Sequence, residues 1–228
     1  SEISRLKKLA TLRIMRVSNI DLVRIPAYDS LKNLEINAEK IEAVEALTKF
    51  TSLDRLFVTA TRSSLSLPDL SRFSALRSAL FSSSRLERLD KIQGAVNLKD
   101  LSLFGRMQVD DLSKLALLES LEQLNCSLEG HEGDLTLISA LKNIEKLSLR
   151  SAAGIQCLDG VERMSKLRLL SVRDVHKLSD ISAVRNLSAL KQLHIFGAKC
   201  LTDLAPIADL KSLSVLTLGV SAEVTDLS

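Results

Sequence analysis

The chain has 228 residues, and 46% of them are hydrophobic, which is enough for a substantial core. Only 3% are aromatic and tryptophan is absent, so aliphatic side chains must fill that core. A formal net charge of +3 is too small to indicate nucleic-acid binding by itself, and no apolar run approaches the ~20 residues of a membrane-spanning helix.

A six-residue pattern, apolar-x-x-apolar-x-apolar, recurs along the whole chain. Its copies begin at Leu9, Leu31, Leu53, Leu76, Leu98, Leu121, Ile144, Leu167, Leu190 and Leu213. Consecutive copies start 22 or 23 residues apart. Within each copy, the residues three and five positions after the first one share one face of a strand, and those two, four and six positions after it share the other. The pattern therefore predicts about ten short strands, one in each repeat.

The second half of each repeat has a different period. In the repeat that begins at Leu190, apolar residues recur every third position from Leu201 to Leu210. This period suits a short α- or 3-10 helix that returns the chain to the start of the next parallel strand. Aspartates stand immediately before five of these segments, at Asp111, Asp134, Asp180, Asp203 and Asp226. Helix capping explains this column of carboxylates better than a calcium-binding face does.

These repeats resemble the leucine-rich repeat superfamily. The form "LTDLAPIADLKSL" is most similar to the internalin-like and SDS22-like classes, and residues 167–228 are also similar to trypanosomatid leucine-rich repeat proteins. The resemblance implies an α/β fold, a solenoid of about ten repeats with a parallel concave sheet and short helical convex returns. It implies one leucine-rich repeat domain over residues 1–228, and a protein-recognition module rather than an enzyme.

The terminal repeats are incomplete. Ile3 and Leu6 match the end of a return segment whose strand is missing, and Leu227 matches the start of another return. Because the ends of a solenoid expose its core unless a further repeat or cap covers them, we expect the chain to be a fragment of a longer protein.

Three departures from regular repeats carry separate expectations. No asparagine occupies the position eight residues after the first apolar residue, so backbone groups at that corner must find other partners. The glycines of "EGHEGD" predict a protruding, solvated loop at Gly130–Gly133, an interpretation favoured over a metal or acid–base pair formed by His131 and Glu132. The serine-rich runs "TATRSSLS" and "FSSSRLE" predict looser loops, with phosphorylation sites as the alternative.

The sequence proposes no catalytic chemistry. It contains no phosphate-binding glycine loop, no nucleophile elbow and no zinc-protease helix, so we expect neither a catalytic site, nor a metal, nor a cofactor. Cys126, Cys157 and Cys200 form an odd set without CxxC spacing and occupy different positions in their repeats. We therefore expect three free thiols in an intracellular protein, cytoplasmic or nuclear.

The concave strand face is the predicted binding surface, because the fold does not need its side chains. The candidate residues are Phe57, Leu80, Phe104, Lys146, Arg150, Leu169, Arg173, His194 and Phe196. In the last four repeats this face has no acidic residue, and Arg150 and Arg173 are expected about 5 Å apart on adjacent strands. These features favour another protein as partner, acidic or phosphorylated, and neither a membrane nor nucleic acid.

Two alternatives to that interpretation stay open at the level of sequence. The basic concave patch of the last four repeats could instead bind an anion such as nucleic acid or an acidic glycan. Alternatively, Asp174 and Glu145 could neutralise the arginines locally, in which case nothing binds there.

Overall fold

The computed structural model describes residues 6–108 and 112–220, and it contains one long strand in each repeat. The strands are β1 (Thr11–Asp21), β2 (Asn33–Glu42), β3 (Arg55–Ala60), β4 (Leu65–Ser66), β5 (Ser78–Glu87), β6 (Asp100–Arg106), β7 (Gln123–Ser127), β8 (Glu132–Gly133), β9 (Lys146–Arg150), β10 (Gly154–Ile155), β11 (Leu169–Arg173), β12 (Gln192–Ala198) and β13 (Val215–Val220). Each of the ten strands other than β4, β8 and β10 begins two residues after the first apolar residue of its repeat. The prediction of about ten repeats, each with one strand of a parallel sheet, is confirmed.

The chain divides into two compact units, Ser1–Leu121 and Glu122–Ser228. In the first unit the sheet order is β1-β2-β3-β5-β6, and in the second it is β7-β9-β11-β12-β13. The pairings described within each unit are parallel. Each unit is therefore a parallel sheet in which consecutive repeats contribute neighbouring strands.

The return segments are 3-10 helices, which settles the choice between α and 3-10 that the sequence left open. Those described are Leu22–Arg24, Val44–Lys49, Leu70–Arg72, Leu89–Ile92, Ser113–Leu117, Thr136–Ile138, Val161–Arg163, Ser182–Asn186 and Ala205–Asp209. The three-residue apolar period matches the three residues per turn of this helix, so one side of each segment faces the core. Among the described residues, no helix is long and apolar enough to cross a membrane.

Stacking in register builds the core. Leu147, Leu170 and Leu193 are register partners on β9, β11 and β12, and all three are fully buried. Backbone hydrogen bonds between neighbouring repeats continue beyond the amino-terminal ends of the strands. There the Glu145 carbonyl accepts hydrogen bonds from the amides of Arg168 and Leu169, at 2.8 and 3.1 Å. Identical spacing of the repeats therefore aligns apolar columns and backbone donors together.

The aspartates before the return segments act as predicted. The carboxylates of Asp134, Asp180 and Asp203 accept hydrogen bonds from the backbone amides of Thr136, Ser182 and Ala205, at 3.0, 2.7 and 2.9 Å. These amides belong to the first turn of each 3-10 helix and have no partner within it. Asp111 and Asp226 lie outside the described residues. The capping interpretation is confirmed for the three aspartates that the structure describes.

The prediction of a solvated loop at Gly130–Gly133 is wrong. His131 is buried, and its Nε2 lies 2.8 Å from the Asp134 carbonyl oxygen. Glu132 and Gly133 form β8, which pairs in parallel with β10 of the next repeat. Gly130 and Glu132 are exposed, and Gly133 is half-buried. The segment is held by the pairing of β8 with β10 and by the contact of the buried His131 ring with the Asp134 carbonyl.

The serine-rich runs are also more regular than predicted. Ser82, Ser83 and Ser84 belong to β5, and β4 pairs in parallel with the last two residues of that strand.

At the position eight residues after the first apolar residue, where no repeat has an asparagine, backbone groups find backbone partners. For example, the Thr61 amide donates to the Ala38 carbonyl at 2.9 Å, so the neighbouring repeat replaces an asparagine side chain there.

Candidate functional site

The side chains two, four and six positions after the first apolar residue of each repeat point away from the core, and we call this side of each sheet the open face. In β9, Lys146 and Arg150 are exposed and Ser148 is half-buried, whereas Leu147 and Leu149 between them are buried. This alternation follows from the two-residue period of a strand. All nine candidate residues predicted from sequence are exposed or half-buried residues of the open face.

The second unit gathers six of them on three adjacent strands. They are Lys146, Arg150, Leu169, Arg173, His194 and Phe196, and we call this set the basic patch. Lys146 is the register partner of Leu169, and Arg173 is the register partner of Phe196. Arg150 and Arg173 directly follow the register partners Leu149 and Val172. The structure therefore brings these residues together as the repeat spacing predicts.

Arg173 is held by an aromatic ring. Its guanidinium carbon lies 4.4 Å from the centroid of the Phe196 ring, a cation–π arrangement. Within residues 6–108 and 112–220, no carboxylate lies within ion-pair distance of this guanidinium. The Phe196 ring extends beside Gly219, where an added Cβ would be 3.5 Å from Phe196 Cδ1. A residue without a side chain on β13 therefore gives this ring room.

His194 continues the same cluster. Its ring is nearly parallel to that of Phe196, with an interplanar angle of 10° and a centroid separation of 6.4 Å. Its Nδ1 lies 2.9 Å from the Thr217 hydroxyl on β13. Thr217 was not among the residues singled out from sequence, although its place in the next repeat, level with His194, could have indicated it. The imidazole thus has an aromatic ring and a hydroxyl group as neighbours.

The backbone at the ends of β9 and β11 is fixed as well. The next residues, Ser151 and Asp174, have positive φ angles of 52° and 61°, a left-handed conformation that non-glycine residues rarely adopt. Carbonyls of the patch accept amides from the preceding repeat: Arg150 from Leu128 at 2.9 Å and Arg173 from Ala152 at 3.3 Å. The equivalent residues Arg16, Gly105 and Gly197 of other repeats also have positive φ, so this left-handed residue is a recurring feature of the repeat that positions the side chains before it.

The nearby carboxylates have other partners. Asp174 accepts a hydrogen bond from the Ser151 amide at 3.2 Å, and Glu145 lies 3.8 Å from the Arg168 guanidinium at the edge of the sheet. These contacts do not place either carboxylate against Arg173. The geometry therefore gives no support to local neutralisation of Arg173 by these two acids.

The first unit holds the other three candidates, Phe57, Leu80 and Phe104, which we call the apolar patch. Phe57 on β3 is the register partner of Leu80 on β5, whereas Phe104 on β6 is partnered with Ser82. Beside Phe57 lies a cavity of about 200 Å³ that is also lined by Arg13, Glu35 and Arg55, among others. An ion pair of 3.0 Å joins Arg13 to Glu35 on its wall. This surface combines half-buried apolar groups with a polar margin.

Other candidate chemistry is not assembled in the part of the chain that the structure describes. No group of three or more His, Cys, Asp or Glu residues there has the arrangement of a metal site. Cys126 is buried, Cys157 is half-buried and Cys200 is exposed, and none of the three is paired with another cysteine. Burial raises the pKa of the Cys126 thiol to about 12, so this group is not a nucleophile near neutral pH.

Solved structures with a similar fold are numerous, whereas no family model and no curated protein sequence matches the chain. An internalin C2 from Listeria monocytogenes is 20% identical with a TM-score of 0.59, over 80% of this chain and 79% of that one. The leucine-rich repeat domain of the type III effector XopL is 19% identical with a TM-score of 0.60, over 95% and 78%. A leucine-rich repeat protein from Leptospira interrogans is 17% identical with a TM-score of 0.50, over 96% and 75%. At these identities the likeness shows the fold.

Proposed function

We propose that this leucine-rich repeat solenoid is a non-enzymatic scaffold that binds another protein through the open face of its sheet. The observation that carries the proposal is the basic patch, in which Arg173 lies over Phe196 on a face that the core does not need. Arginine and aromatic residues are enriched in protein interfaces, where aromatic rings supply contact area and guanidinium groups form directed hydrogen bonds.

The charge of the patch indicates the chemistry of the partner. Lys146, Arg150 and Arg173 are exposed, and the open-face positions of the last four repeats contain no acidic residue. Like charges on neighbouring strands are unfavourable, so an anionic group placed against them recovers free energy. The partner is therefore expected to present acidic or phosphorylated side chains to this patch.

A second candidate function is supported by the same positive charge. The patch could bind nucleic acid or an acidic glycan as a repeated anion, without a protein partner. Salt separates the two functions, because an interface that neutralises many phosphates loses affinity steeply as salt rises. A protein interface that includes Phe196 and Leu169 is expected to depend on salt less strongly.

The test is a double charge reversal on the open face. We expect Arg150→Glu with Arg173→Glu to abolish capture of a protein partner by the purified 228-residue chain. The matched control is Lys211→Glu, which reverses an exposed charge after the last described return segment. Circular dichroism and urea unfolding should show that all three proteins are folded.

The result that would overturn the proposal is undiminished capture by the folded double variant. A partner first identified by capture must then be purified and titrated against both variants, so that an indirect association is excluded. If the double variant still binds, replacing Phe57 and Leu80 by serine tests whether the apolar patch of the first unit recognises the partner instead.

A further inference from the structure

We propose that Arg173, Phe196 and His194 form a subsite for one phosphate monoester, carried by a phosphorylated side chain of the partner protein. This inference rests on the proposed function and specifies which anion the basic patch recognises. Its three residues lie on the paired strands β11 and β12 of the second unit, and Thr217 on β13 contacts His194.

The contact of Arg173 with the Phe196 ring is compatible with a forked hydrogen bond to the anion. A guanidinium group that stacks on a ring uses its flat face, whereas its N–H donors lie in the plane at its rim. With Phe196 at 4.4 Å, the rim of Arg173 keeps its donors, and no carboxylate among the described residues forms an ion pair with them. The ring thus limits the rotamers of a long side chain before any ligand arrives, which lowers the entropic cost of binding.

His194 supplies a second donor beside the same ring. The Thr217 hydroxyl lies 2.9 Å from Nδ1, and when it donates to that nitrogen the imidazole proton is on Nε2. The Phe196 ring lies nearly parallel to the imidazole, with the centroids 6.4 Å apart. The register pairs Ser171 with His194 and Arg173 with Phe196, so His194 lies diagonally across from Arg173, a distance that long side chains bridge.

A phosphate monoester matches this set of donors better than a carboxylate does. It carries close to two negative charges at neutral pH and three acceptor oxygens, so it can accept from an arginine fork and from a second donor together. Lys146 and Arg150 are exposed on the neighbouring strand β9 and raise the local positive potential. A nucleic-acid strand would need a row of phosphate contacts, and the net charge of +3 gives the chain little general attraction for one.

The experiment titrates the purified 228-residue chain with phenyl phosphate at pH 7.5 and follows the Nε–H signals of its arginines by NMR. Benzoate is the comparison anion, since it has a similar ring and a single carboxylate. We expect phenyl phosphate to shift the Arg173 signal and to bind more tightly than benzoate. Arg173→Ala should weaken binding about tenfold or more, the loss expected for hydrogen bonds to a charged group.

Two further variants separate the fork from simple charge. Arg173→Lys keeps the charge but loses the fork, so its loss should approach that of Arg173→Ala. Phe196→Leu keeps an apolar side chain but removes the stacking, and should weaken binding about two- to fivefold. The control is Arg163→Ala, which removes an exposed guanidinium from the return segment Val161–Arg163 and should leave binding unchanged.

Three results would overturn the subsite: benzoate binding as tightly as phenyl phosphate, Arg173→Lys binding like the parent chain, or a single-stranded oligonucleotide binding through Arg173 when phenyl phosphate does not. Phosphatase treatment of the captured partner separates the two proposals. Binding that survives the phosphatase but not the double charge reversal refutes the phosphate subsite and supports the open face. If phenyl phosphate binds at Arg173 but the double charge reversal leaves capture of the partner unchanged, the proposed function fails instead.

Discussion

The carboxylate of Asp174 accepts a hydrogen bond from the backbone amide of Ser151, one repeat earlier, at 3.2 Å. Both residues have left-handed backbone, and both directly follow an arginine of the basic patch. The contact joins two strained strand ends across the sheet. It therefore fixes the points from which Arg150 and Arg173 project, and it occupies the acid that stands next to Arg173 in the sequence.

The strain at Ser151 is measurable. At a φ of 52° a β-carbon costs about 1–2 kcal/mol that glycine does not pay, so Ser151→Gly should relieve it. The matched control is Ser148→Gly in the extended strand β9, where the substitution should destabilise the fold by about 0.5–1 kcal/mol. Both variants carry the entropic cost of glycine, which cancels in the comparison, so urea unfolding should give Ser151→Gly a free energy of unfolding about 1–2 kcal/mol above that of Ser148→Gly. Equal values for the two variants would contradict the assigned strain.

The cap at Asp180 should make stability depend on acid. Hydrogen bonds from the backbone amide and then the side chain of Ser182 lower the pKa of Asp180 below its ordinary value. A carboxyl group with a lowered folded-state pKa contributes stability that is present above its unfolded value, about 3.9, and lost as pH falls through the folded value. Asp180→Ala should therefore cost about 0.5–1 kcal/mol at pH 7 and progressively less below about pH 4.

Asp174 is the comparison residue for that experiment, because its carboxylate does not cap a return helix. It is also exposed and also accepts a backbone amide, but that amide belongs to a neighbouring repeat and not to the first turn of a return helix. Asp180→Asn, which keeps an oxygen acceptor, should retain part of the stability and lose its acid dependence. A cost for Asp180→Ala that is the same at pH 7 and at pH 3 would show that the ionised cap contributes nothing.

The sequence predicts the repeats well because strand register and helix capping each depend on residues close together in the chain. The spacing of Leu147, Leu170 and Leu193 sets the register of the strands, and the carboxylates of Asp134 and Asp180 cap the helices that follow them. These features recur along the chain, so ten imperfect copies make the pattern recognisable.

What the sequence could not provide depends on contacts between repeats. The glycines around His131 predict a solvated loop, whereas in the structure β8 pairs with β10 and His131 is buried. Ser151 carries no turn signal of the kind a glycine gives, so its left-handed backbone was not predicted. The open-face position of Arg173 was predicted, but its stacking on Phe196 depends on side-chain rotamers and on the space beside Gly219.

Gly197 should be the less replaceable of two glycines, Gly197 and Gly219, that lie next to Phe196 of the basic patch. It follows Phe196 with a φ of +80°, and an added Cβ would lie 3.3 Å from the His176 ring. Gly197→Ala should therefore destabilise the fold by about 1–2 kcal/mol through backbone strain alone. Gly219→Ala is the control, because its Cβ would meet Phe196 Cα at an ordinary 3.4 Å. Thermal unfolding that ranks Gly219→Ala as the less stable of the two would refute this assignment.

The three cysteines should differ in reactivity according to their burial. Cys200 is exposed, Cys157 is half-buried, and burial of Cys126 raises the pKa of its thiol to about 12. Since the thiolate is the reactive form, a thiol reagent such as Ellman's reagent at pH 8 should modify Cys200 first, Cys157 more slowly, and Cys126 only after unfolding. Under denaturing, non-reducing conditions the count should reach three. A count of one would reveal a disulfide and contradict both the sequence prediction and the structure. Rapid labelling of Cys126 in the Cys200→Ser variant without denaturant would show that this part of the core opens.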